Sequence, residues 1–291
     1  MLRVVLPKGS LEKATLELFA AADLPVRRGS DVDYRADIDD PRVDEVRILR
    51  PQEIPRYVAE GTFDLGITGR DWIEETGVEV VSLGELAYSK SSANPIRVVL
   101  AVAGDSPVQH AADLPPGSRV ATEYPELTRR VLEKAGVQAD IRLSYGATEA
   151  KVPDIADAVV EITETGRALA AAGLRVVDTL LVSHTELIAN PASAADPVKR
   201  TAMDHLMTLL QGALEARDKV LLKLNVASAQ LHDVIGVLPA LKAPTVSELS
   251  GGGAYAVETV VPKSEVNVLI PALKDCGATD IIELALSKIV H

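Results

Sequence analysis

The sequence has a single cysteine, Cys276, and few aromatic residues, which make up 3% of its 291 residues. One cysteine excludes an intramolecular disulfide, and we therefore expect a reducing compartment. Cys276 lies in the helical stretch "ALKDCGA", and we interpret it as a packing residue rather than a nucleophile. Since aromatic side chains are scarce, the core must consist mostly of Val, Leu, Ile and Ala.

Long apolar runs and an excess of positive charge are also missing. No segment approaches the roughly 18 apolar residues that span a membrane, and the N-terminal apolar run is too short for a signal peptide. The 30 Lys and Arg are outnumbered by 42 Asp and Glu, which gives a formal net charge of −12. Such a surface repels nucleic acid and anionic membranes, so we expect neither as a partner and a cytoplasmic location. A small polyanion remains possible as a ligand, because a pocket can be locally basic.

Common catalytic and metal-binding motifs are absent too. The five histidines show no metal-ligand spacing. Neither a G-x-S-x-G elbow nor a Walker sequence is present. The sequence alone therefore leaves the residues that hold a metal unknown.

The apolar pattern indicates an α/β protein with more than one domain. Short apolar runs alternate with amphipathic stretches, which is typical of layered strands and helices. The rhythm changes near residues 212–218. Beyond that point, residues 218–291 follow the order β-α-β-β-α-β of a ferredoxin-like sandwich.

One stretch, "ADAVVEITETGRAL" at residues 156–169, begins as a buried strand and ends in hydroxyls, a glycine and an arginine. Thr163, Thr165 and Gly166 would place amide and hydroxyl donors at a helix N-terminus, where anions bind. Gly166 lets a phosphate approach the backbone closely, and Arg167 would add positive charge.

Two carboxylates in the same stretch, Asp157 and Glu161, suit the hydroxyls of a sugar or a bound Mg²⁺. The pattern therefore predicts a site for a phosphorylated sugar. A capped βα turn, in which Thr and Glu serve only the helix, fits the same spacing.

Three other predicted strands also end in basic residues. Lys8 and Gly9 follow the first strand in "LPKGSL", Arg50 follows "VDEVRIL", and Arg70 and Asp71 follow "DLGITG". Ligands gather at such strand ends in open α/β sheets. The alternatives are a solvated lysine, surface arginines and an aspartate that only caps its helix.

Taken together, several segments resemble one family. "LPKGSL", "LRPQEIPRYVAEGTFDLGITGRDW", "RVATEYPELTRR" and "GATEAKVPDIADAVVEITETGRAL" are similar in order and spacing to ATP phosphoribosyltransferase, the first enzyme of histidine biosynthesis. The tail, "LKLNVASAQLHDVIGVLPALKAPTVSELS" and "ALKDCGATDIIELALSKIV", resembles the regulatory domain of its long form. The resemblance runs nearly from end to end.

The resemblance implies a fold and a reaction. The fold is a two-lobed catalytic unit of the type II periplasmic-binding-protein kind, with a C-terminal ferredoxin-like regulatory domain. Lobe 1 would comprise residues 1–95 and 180–212, lobe 2 residues 96–179, and the regulatory domain residues 218–291. The reaction is Mg²⁺-dependent: the adenine N1 of ATP attacks the ribose C1 of phosphoribosyl pyrophosphate, and pyrophosphate leaves.

The resemblance also assigns residues by role. Those expected to bind phosphoribosyl pyrophosphate are Asp157, Glu161, Thr163, Glu164, Thr165, Gly166, Arg167 and Ala168. Those expected at the catalytic centre or around ATP are Lys8, Gly9, Arg50, Arg70, Asp71, Glu123 and Tyr124.

The resemblance also implies that histidine regulates the protein. Histidine would inhibit a homo-oligomer, a dimer or hexamer, from a pocket containing Asn225, Leu241 and Thr245. Two positions depart from the family pattern. Ala168 stands where a threonine is common, and "GGGAY" replaces a segment that carries an aspartate or proline and a tryptophan.

Two other functions are compatible with parts of this pattern. A solute-binding or amino-acid-sensing protein could share the two-lobed scaffold, although the "TETGRAL" loop disfavours an uncharged solute. A short-form catalytic subunit would need a separate regulatory protein, but the C-terminal domain is present in this chain.

Overall fold

The structure is a computed structural model that describes residues 1–30, 32–88, 95–239 and 243–291. It divides into two compact units, Met1–Met207 and Thr208–His291. Within the described ranges, none of the helices has both the length and the apolar character needed to cross a membrane.

The strands are β1 Leu2–Pro7, β2 Val26–Arg27, β3 Arg35–Ile38, β4 Val43–Leu49, β5 Leu65–Gly69, β6 Val81–Leu86, β7 Ile96–Ala103, β8 Arg119–Thr122, β9 Asp140–Leu143, β10 Ala158–Thr163, β11 Leu174–Ser183, β12 Thr185–Ala189, β13 Lys219–Ala227, β14 Thr245–Glu248, β15 Ala254–Pro262 and β16 Thr279–Ala285. The helices are α1 Glu12–Ala21, α2 Ile54–Ala59, α3 Arg70–Thr76, α4 Pro125–Lys134, α5 Arg167–Ala171, α6 Pro191–Ala195, α7 Pro197–Ala216, α8 Leu231–Val237 and α9 Val266–Asp275. Short 3₁₀ turns lie at Ala111–Asp113, Thr148–Lys151, Ser228–Gln230 and Lys263–Glu265.

The first lobe of the first unit is built on a mixed sheet. Its described strands follow the order β2-β3-β4-β1-β5-β12-β6. Strands β4, β1 and β5 are parallel, whereas β12 runs antiparallel to β5 and β6. The carboxyl ends of β1, β4 and β5 therefore meet at one edge of this sheet.

The second lobe is built on a sheet of order β11-β7-β10-β8-β9. Strands β10, β8 and β9 are parallel. Alternate residues of β7 are buried on opposite faces: Val98 and Leu100 pack into one cluster, and Val99 and Ala101 into another. This sheet is covered on both faces, as is usual for parallel strands.

The chain returns from the second lobe to the first at His184. Strand β11 ends at Ser183 and pairs with β7 of the second lobe, and β12 begins at Thr185 in the first lobe. The expected boundary between the lobes at residue 180 therefore falls inside β11. The apolar pattern is continuous there, so it does not show where the chain passes from one lobe to the other. The return strand gives the type II periplasmic-binding-protein arrangement, and this part of the predicted fold is confirmed.

The second unit contains an antiparallel sheet of order β14-β15-β13-β16. Alternate residues of β13 are buried with Val234 of α8 and with Leu269 and Leu273 of α9. The chain order is β13-α8-β14-β15-α9-β16, so the predicted ferredoxin-like topology is confirmed. Pro271 lies inside α9 without ending that helix.

Candidate active site

A cleft of about 450 Å³ lies where strand ends of the two lobes face each other. Residues after β1, β4 and β5 line it from the first lobe, and residues after β8 and β10 line it from the second. Ligands bind beyond the carboxyl ends of strands in open α/β sheets. The geometry therefore places the candidate active site in this cleft.

The loop after β10 turns into α5 at a glycine with a positive φ. Gly166 has φ of +76° and immediately precedes α5, a conformation that glycine adopts without strain. The Gly166 amide donates to Thr163 Oγ1 over 2.7 Å, and the Arg167 amide lies 3.5 Å from Thr165 Oγ1. The two threonine hydroxyls therefore shape the loop.

The start of α5 leaves backbone donors outside the helix. Its first i→i−4 bond runs from the Ala170 amide to the Gly166 carbonyl over 3.0 Å. The amides of Arg167, Ala168 and Leu169 precede that bond, so they take no part in the helical ladder. The departure at Ala168 removes a side-chain hydroxyl from this turn and leaves its backbone amide in place.

A second cavity of about 330 Å³ lies against this loop, and it shares Glu123, Ile162 and Thr163 with the cleft. Glu161 and Glu149 also line it. Burial raises the pKa of Glu161 above its ordinary value, and the charges of Glu123 and Glu149 act in the same direction. Glu149 carries no signal in the sequence, since nothing in its spacing distinguishes it from other acidic residues.

Asp71 is held in a buried polar cluster between the lobes. Its side chain lies at the start of α3 in the first lobe, and the residue is 3% exposed. Ser183 Oγ donates to Asp71 Oδ1 over 2.5 Å, and Tyr124 Oη donates to Asp71 Oδ2 over 2.8 Å. Burial raises the pKa of Asp71, although these hydrogen bonds oppose the shift. Asp71 thus lines the cleft with both carboxylate oxygens already bonded.

Aromatic rings extend this cluster towards the cleft. Tyr124 is 1% exposed, and its ring centroid lies 4.5 Å from that of Trp72, at an interplanar angle of 35°. Both residues line the cleft. Burial raises the pKa of Tyr124 well above its ordinary value, and Asp71 adds to the shift, so its hydroxyl acts as a donor.

Lys8 and Arg50 lie at the same edge of the first sheet. Pro7 pairs with Leu49 across the parallel strands β1 and β4, so the next residues of both strands are neighbours. Lys8 Nζ lies 4.0 Å from the ring centroid of Tyr34, and Arg50 is exposed. Gly9 has φ of +89° and begins the turn into α1. Lys8 and Arg50 do not themselves line the cleft, although residues that follow them do.

The structure does not place the Arg70 side chain in the cleft. Its guanidinium pairs with Glu74 at 2.5 Å and approaches Glu186 at 3.7 Å. These contacts line a different cavity, of about 260 Å³, which also contains Gly77 at the end of α3. The reason is local, since Arg70 and Glu74 are neighbours on one face of a helix.

Asp157 also lies away from the loop. It precedes β10, whereas the loop follows that strand. Arg119 binds its carboxylate through Nη2 at 2.7 Å and Nε at 3.2 Å. Asp157, expected among the residues that bind phosphoribosyl pyrophosphate, therefore stands at the opposite end of β10 from the loop.

Two of the expected effector residues lie on the sheet of the second unit. Asn225 lies on β13, and its side-chain Nδ2 donates to Asp280 Oδ2 over 2.9 Å. Thr245 begins β14, and β15 lies between the two strands. Leu241 falls outside the described residues.

The described ranges contain no group of three or more His, Cys, Asp or Glu that could hold a metal ion. Glu123 and Glu161 follow Thr122 and Val160, which pair across β8 and β10, so the two carboxylates stand at the same end of neighbouring parallel strands.

Comparison with known proteins gives matches over both units. Residues 50–212 match the family model of HisG, ATP phosphoribosyltransferase, and residues 216–288 match that of the HisG C-terminal domain. The ATP phosphoribosyltransferase of Pelotomaculum thermopropionicum is 48% identical over 291 residues, with 99% of each chain covered. That of Desulforudis audaxviator is 47% identical over 289 residues, again with 99% of each chain covered.

A solved structure is also similar to this chain. It is the ATP phosphoribosyl transferase (HisG:HisZ) complex from Thermotoga maritima, with 26% sequence identity and a TM-score of 0.63. The alignment covers 74% of this chain and 99% of that chain. Together with the match to the C-terminal domain, these similarities show that the chain belongs to the long form of the ATP phosphoribosyltransferase family of histidine biosynthesis.

Proposed function

We propose that the protein condenses ATP with phosphoribosyl pyrophosphate to give N1-(5-phosphoribosyl)-ATP and pyrophosphate, with Mg²⁺, in the cytoplasm. The observation that carries the proposal is the loop after β10, where Gly166 at φ +76° begins a turn with backbone amides outside the helical ladder. Such a turn fits a terminal phosphate.

The loop and the cleft together fit two substrates. The cavity against the loop would take the 5-phosphate and ribose of phosphoribosyl pyrophosphate, and the cleft next to it would take ATP. Because Glu123 and Thr163 line both spaces, the ribose C1 and the adenine N1 would meet near them. Bringing the two reactants together is the main catalytic task, since adenine N1 is itself the nucleophile.

Electrostatics divide the site into two parts. Lys8 and Arg50 follow neighbouring strands of the first sheet and would face the departing pyrophosphate. Glu123 and Glu161 would lie near the ribose, where positive charge develops as the leaving group departs. Charges preorganised in this way favour an oxocarbenium-like transition state.

Mg²⁺ fits this site as a complex with the substrate rather than as a resident ion. The described residues lack a three-residue metal cluster, and Mg²⁺ commonly binds one or two carboxylates together with phosphates. Glu123 and Glu161 are the residues that would contact it. The ion would neutralise pyrophosphate charge as that group leaves.

The second unit would bind histidine and inhibit the enzyme, in a homo-oligomer. Its match to the HisG C-terminal domain supports a regulatory role, and Asn225 and Thr245 lie on its sheet. Inhibition requires that histidine bind one arrangement of the assembly more tightly than another.

An absorbance assay for phosphoribosyl-ATP tests the proposal. The purified chain should form product only when ATP, phosphoribosyl pyrophosphate and Mg²⁺ are all present, and a chelator should stop the reaction. Added histidine should lower the rate. Absence of product under these conditions would contradict the proposed reaction.

A further inference from the structure

Helix α4 of the second lobe begins without a cap of its own. Its N-cap residue is Tyr124, whose side chain makes no capping hydrogen bond, and Pro125 follows. The first amides of a helix need acceptors from outside the helix, and tyrosine cannot supply the short side-chain oxygen that Ser, Thr, Asp or Asn provides. The helix therefore depends on another element at this end.

That acceptor comes from the other lobe. Glu75 of α3 accepts from the Glu126 amide through Oε1 over 3.1 Å and from the Leu127 amide through Oε2 over 2.8 Å. A carboxylate at a helix N-terminus is also favoured by the helix dipole. Glu75 thus caps a helix that belongs to a different sheet.

Two residues that line the cleft lie next to this cap. Glu123 and Tyr124 immediately precede α4, and both face the cavity. Arg130, further along α4, donates to the Glu74 carbonyl and lies 3.7 Å from the Glu74 carboxylate. Helices α3 and α4 are therefore joined through two adjacent residues of α3, Glu74 and Glu75.

We propose that Glu75 is a positioning residue for the transfer reaction: by capping α4 across the lobes, it fixes Glu123 and Tyr124 relative to the strand ends of the first lobe. The structural part of this inference stands on the contacts themselves, and the catalytic part rests on the proposed function. Glu75 does not line the cleft, so its effect on the reaction is indirect.

The sequence provides a direct probe, because its single tryptophan is Trp72, which stacks on Tyr124 across the same contact. The experiment compares Glu75→Gln and Glu75→Ala with the wild-type chain. Glu79→Gln is the matched control, since Glu79 is exposed and lies four positions along the chain. Trp72 emission and acrylamide quenching are measured, with kcat and KM for both substrates, at a temperature where all variants are folded.

We expect the effect on Trp72 fluorescence to increase from Glu75→Gln to Glu75→Ala. Trp72 emission moves to longer wavelength and quenching increases in the order wild type, Gln, Ala, while the control stays at the wild-type values. In Glu75→Ala, kcat falls by about 10- to 100-fold, the loss typical of a displacement of about 1 Å. KM changes less than about threefold, because Glu75 contacts neither substrate.

Two results would overturn the inference. Unchanged Trp72 emission and quenching in Glu75→Ala would show that the cap does not hold the lobes in register. Altered emission with an unchanged kcat would show that the cap does not position the site. If the wild-type chain forms no product at all, the proposed function fails, and the Trp72 measurements still decide whether Glu75 acts as an interlobe cap.

Discussion

The Tyr124 hydroxyl of the second lobe donates to the buried carboxylate of Asp71 in the first lobe, over 2.8 Å. Ser183, at the end of β11, donates to the other carboxylate oxygen over 2.5 Å. A buried carboxylate is costly unless its oxygens are bonded. This hydrogen-bonded bridge therefore ties the start of α3, the start of α4 and the end of β11 together beside the cleft.

Replacing Tyr124 by phenylalanine should destabilise the protein. Tyr124→Phe keeps the ring against Trp72 but leaves Asp71 Oδ2 without its donor, which should cost about 1 to 3 kcal/mol of unfolding free energy. Urea unfolding measures the difference. Tyr145→Phe is the control, because Tyr145 is 91% exposed and its loss should change little. Equal stability of the two variants would show that the bridge contributes nothing.

A side chain at Gly166 should disrupt the phosphate site. Gly166→Val places a β-branched residue at φ +76°, which costs about 1 to 3 kcal/mol and should reshape the loop. Calorimetry with phosphoribosyl pyrophosphate and Mg²⁺ should show at least a roughly tenfold weaker affinity, because a tenfold change corresponds to about 1.4 kcal/mol.

The control for this variant is Gly117→Val. Gly117 has φ of +79°, and a Cβ there would also meet nothing within 4 Å, but it precedes β8, at the end of the strand opposite Glu123. It carries the same backbone strain at a distance from the loop. If both variants bind phosphoribosyl pyrophosphate as the wild type does, the loop is not the phosphate site.

Glu161 should set the acid limb of activity. Burial raises its pKa, with Glu123 and Glu149 acting in the same direction, so Glu161 gains its proton at a higher pH than an ordinary glutamate. If the ionised form assists the ribose and Mg²⁺, kcat/KM for phosphoribosyl pyrophosphate falls as pH drops through that raised value. Glu161→Gln should lower kcat/KM near neutral pH and lose this limb. An identical acid limb in the variant would assign it to another group.

Histidine inhibition should depend on Asn225. The amide of Asn225 bonds Asp280, and Asn225→Ala removes a polar group from the expected effector site. The ratio of rates with and without histidine is measured over a range of histidine concentrations. Half-inhibition of the variant should need roughly tenfold more histidine than that of the wild type, because a loss of about 1.4 kcal/mol of binding free energy weakens binding tenfold. Lys223→Ala, two residues earlier on β13, is the comparison. Equal inhibition in all three proteins would place the effector elsewhere.

Features of the site that depend on short stretches were predictable. The run from Thr163 to Gly166 indicates a turn at a helix start because glycine and hydroxyl side chains have local conformational preferences. The turn at Gly77, with φ of 62° after α3, follows the same rule. These features need only a few consecutive residues.

Features that depend on distant partners were not predictable. Arg70 has the charge of a phosphate ligand, but Glu74 and Glu186 engage it, and only the fold brings Glu186 there. Glu75 resembles any exposed acid in "DWIEETG" until α4 is placed beside it. The short strands β2 and β3 carry too few residues for a period to be read. Gly84 lies inside β6 where its pairing with β12 shifts register.

The tight connection between β11 and β12 limits the insertion of residues at this point of the chain. Only His184 separates the two strands, and β12 is held between β5 and β6 along its whole length. Side chains alternate along a strand, so one inserted residue would exchange its two faces. Thr185, which now donates to the Tyr88 carbonyl over 2.8 Å, would trade places with Glu186. An insertion at this junction would therefore have to be taken up by a bulge or a change of register, because no loop is present to absorb it.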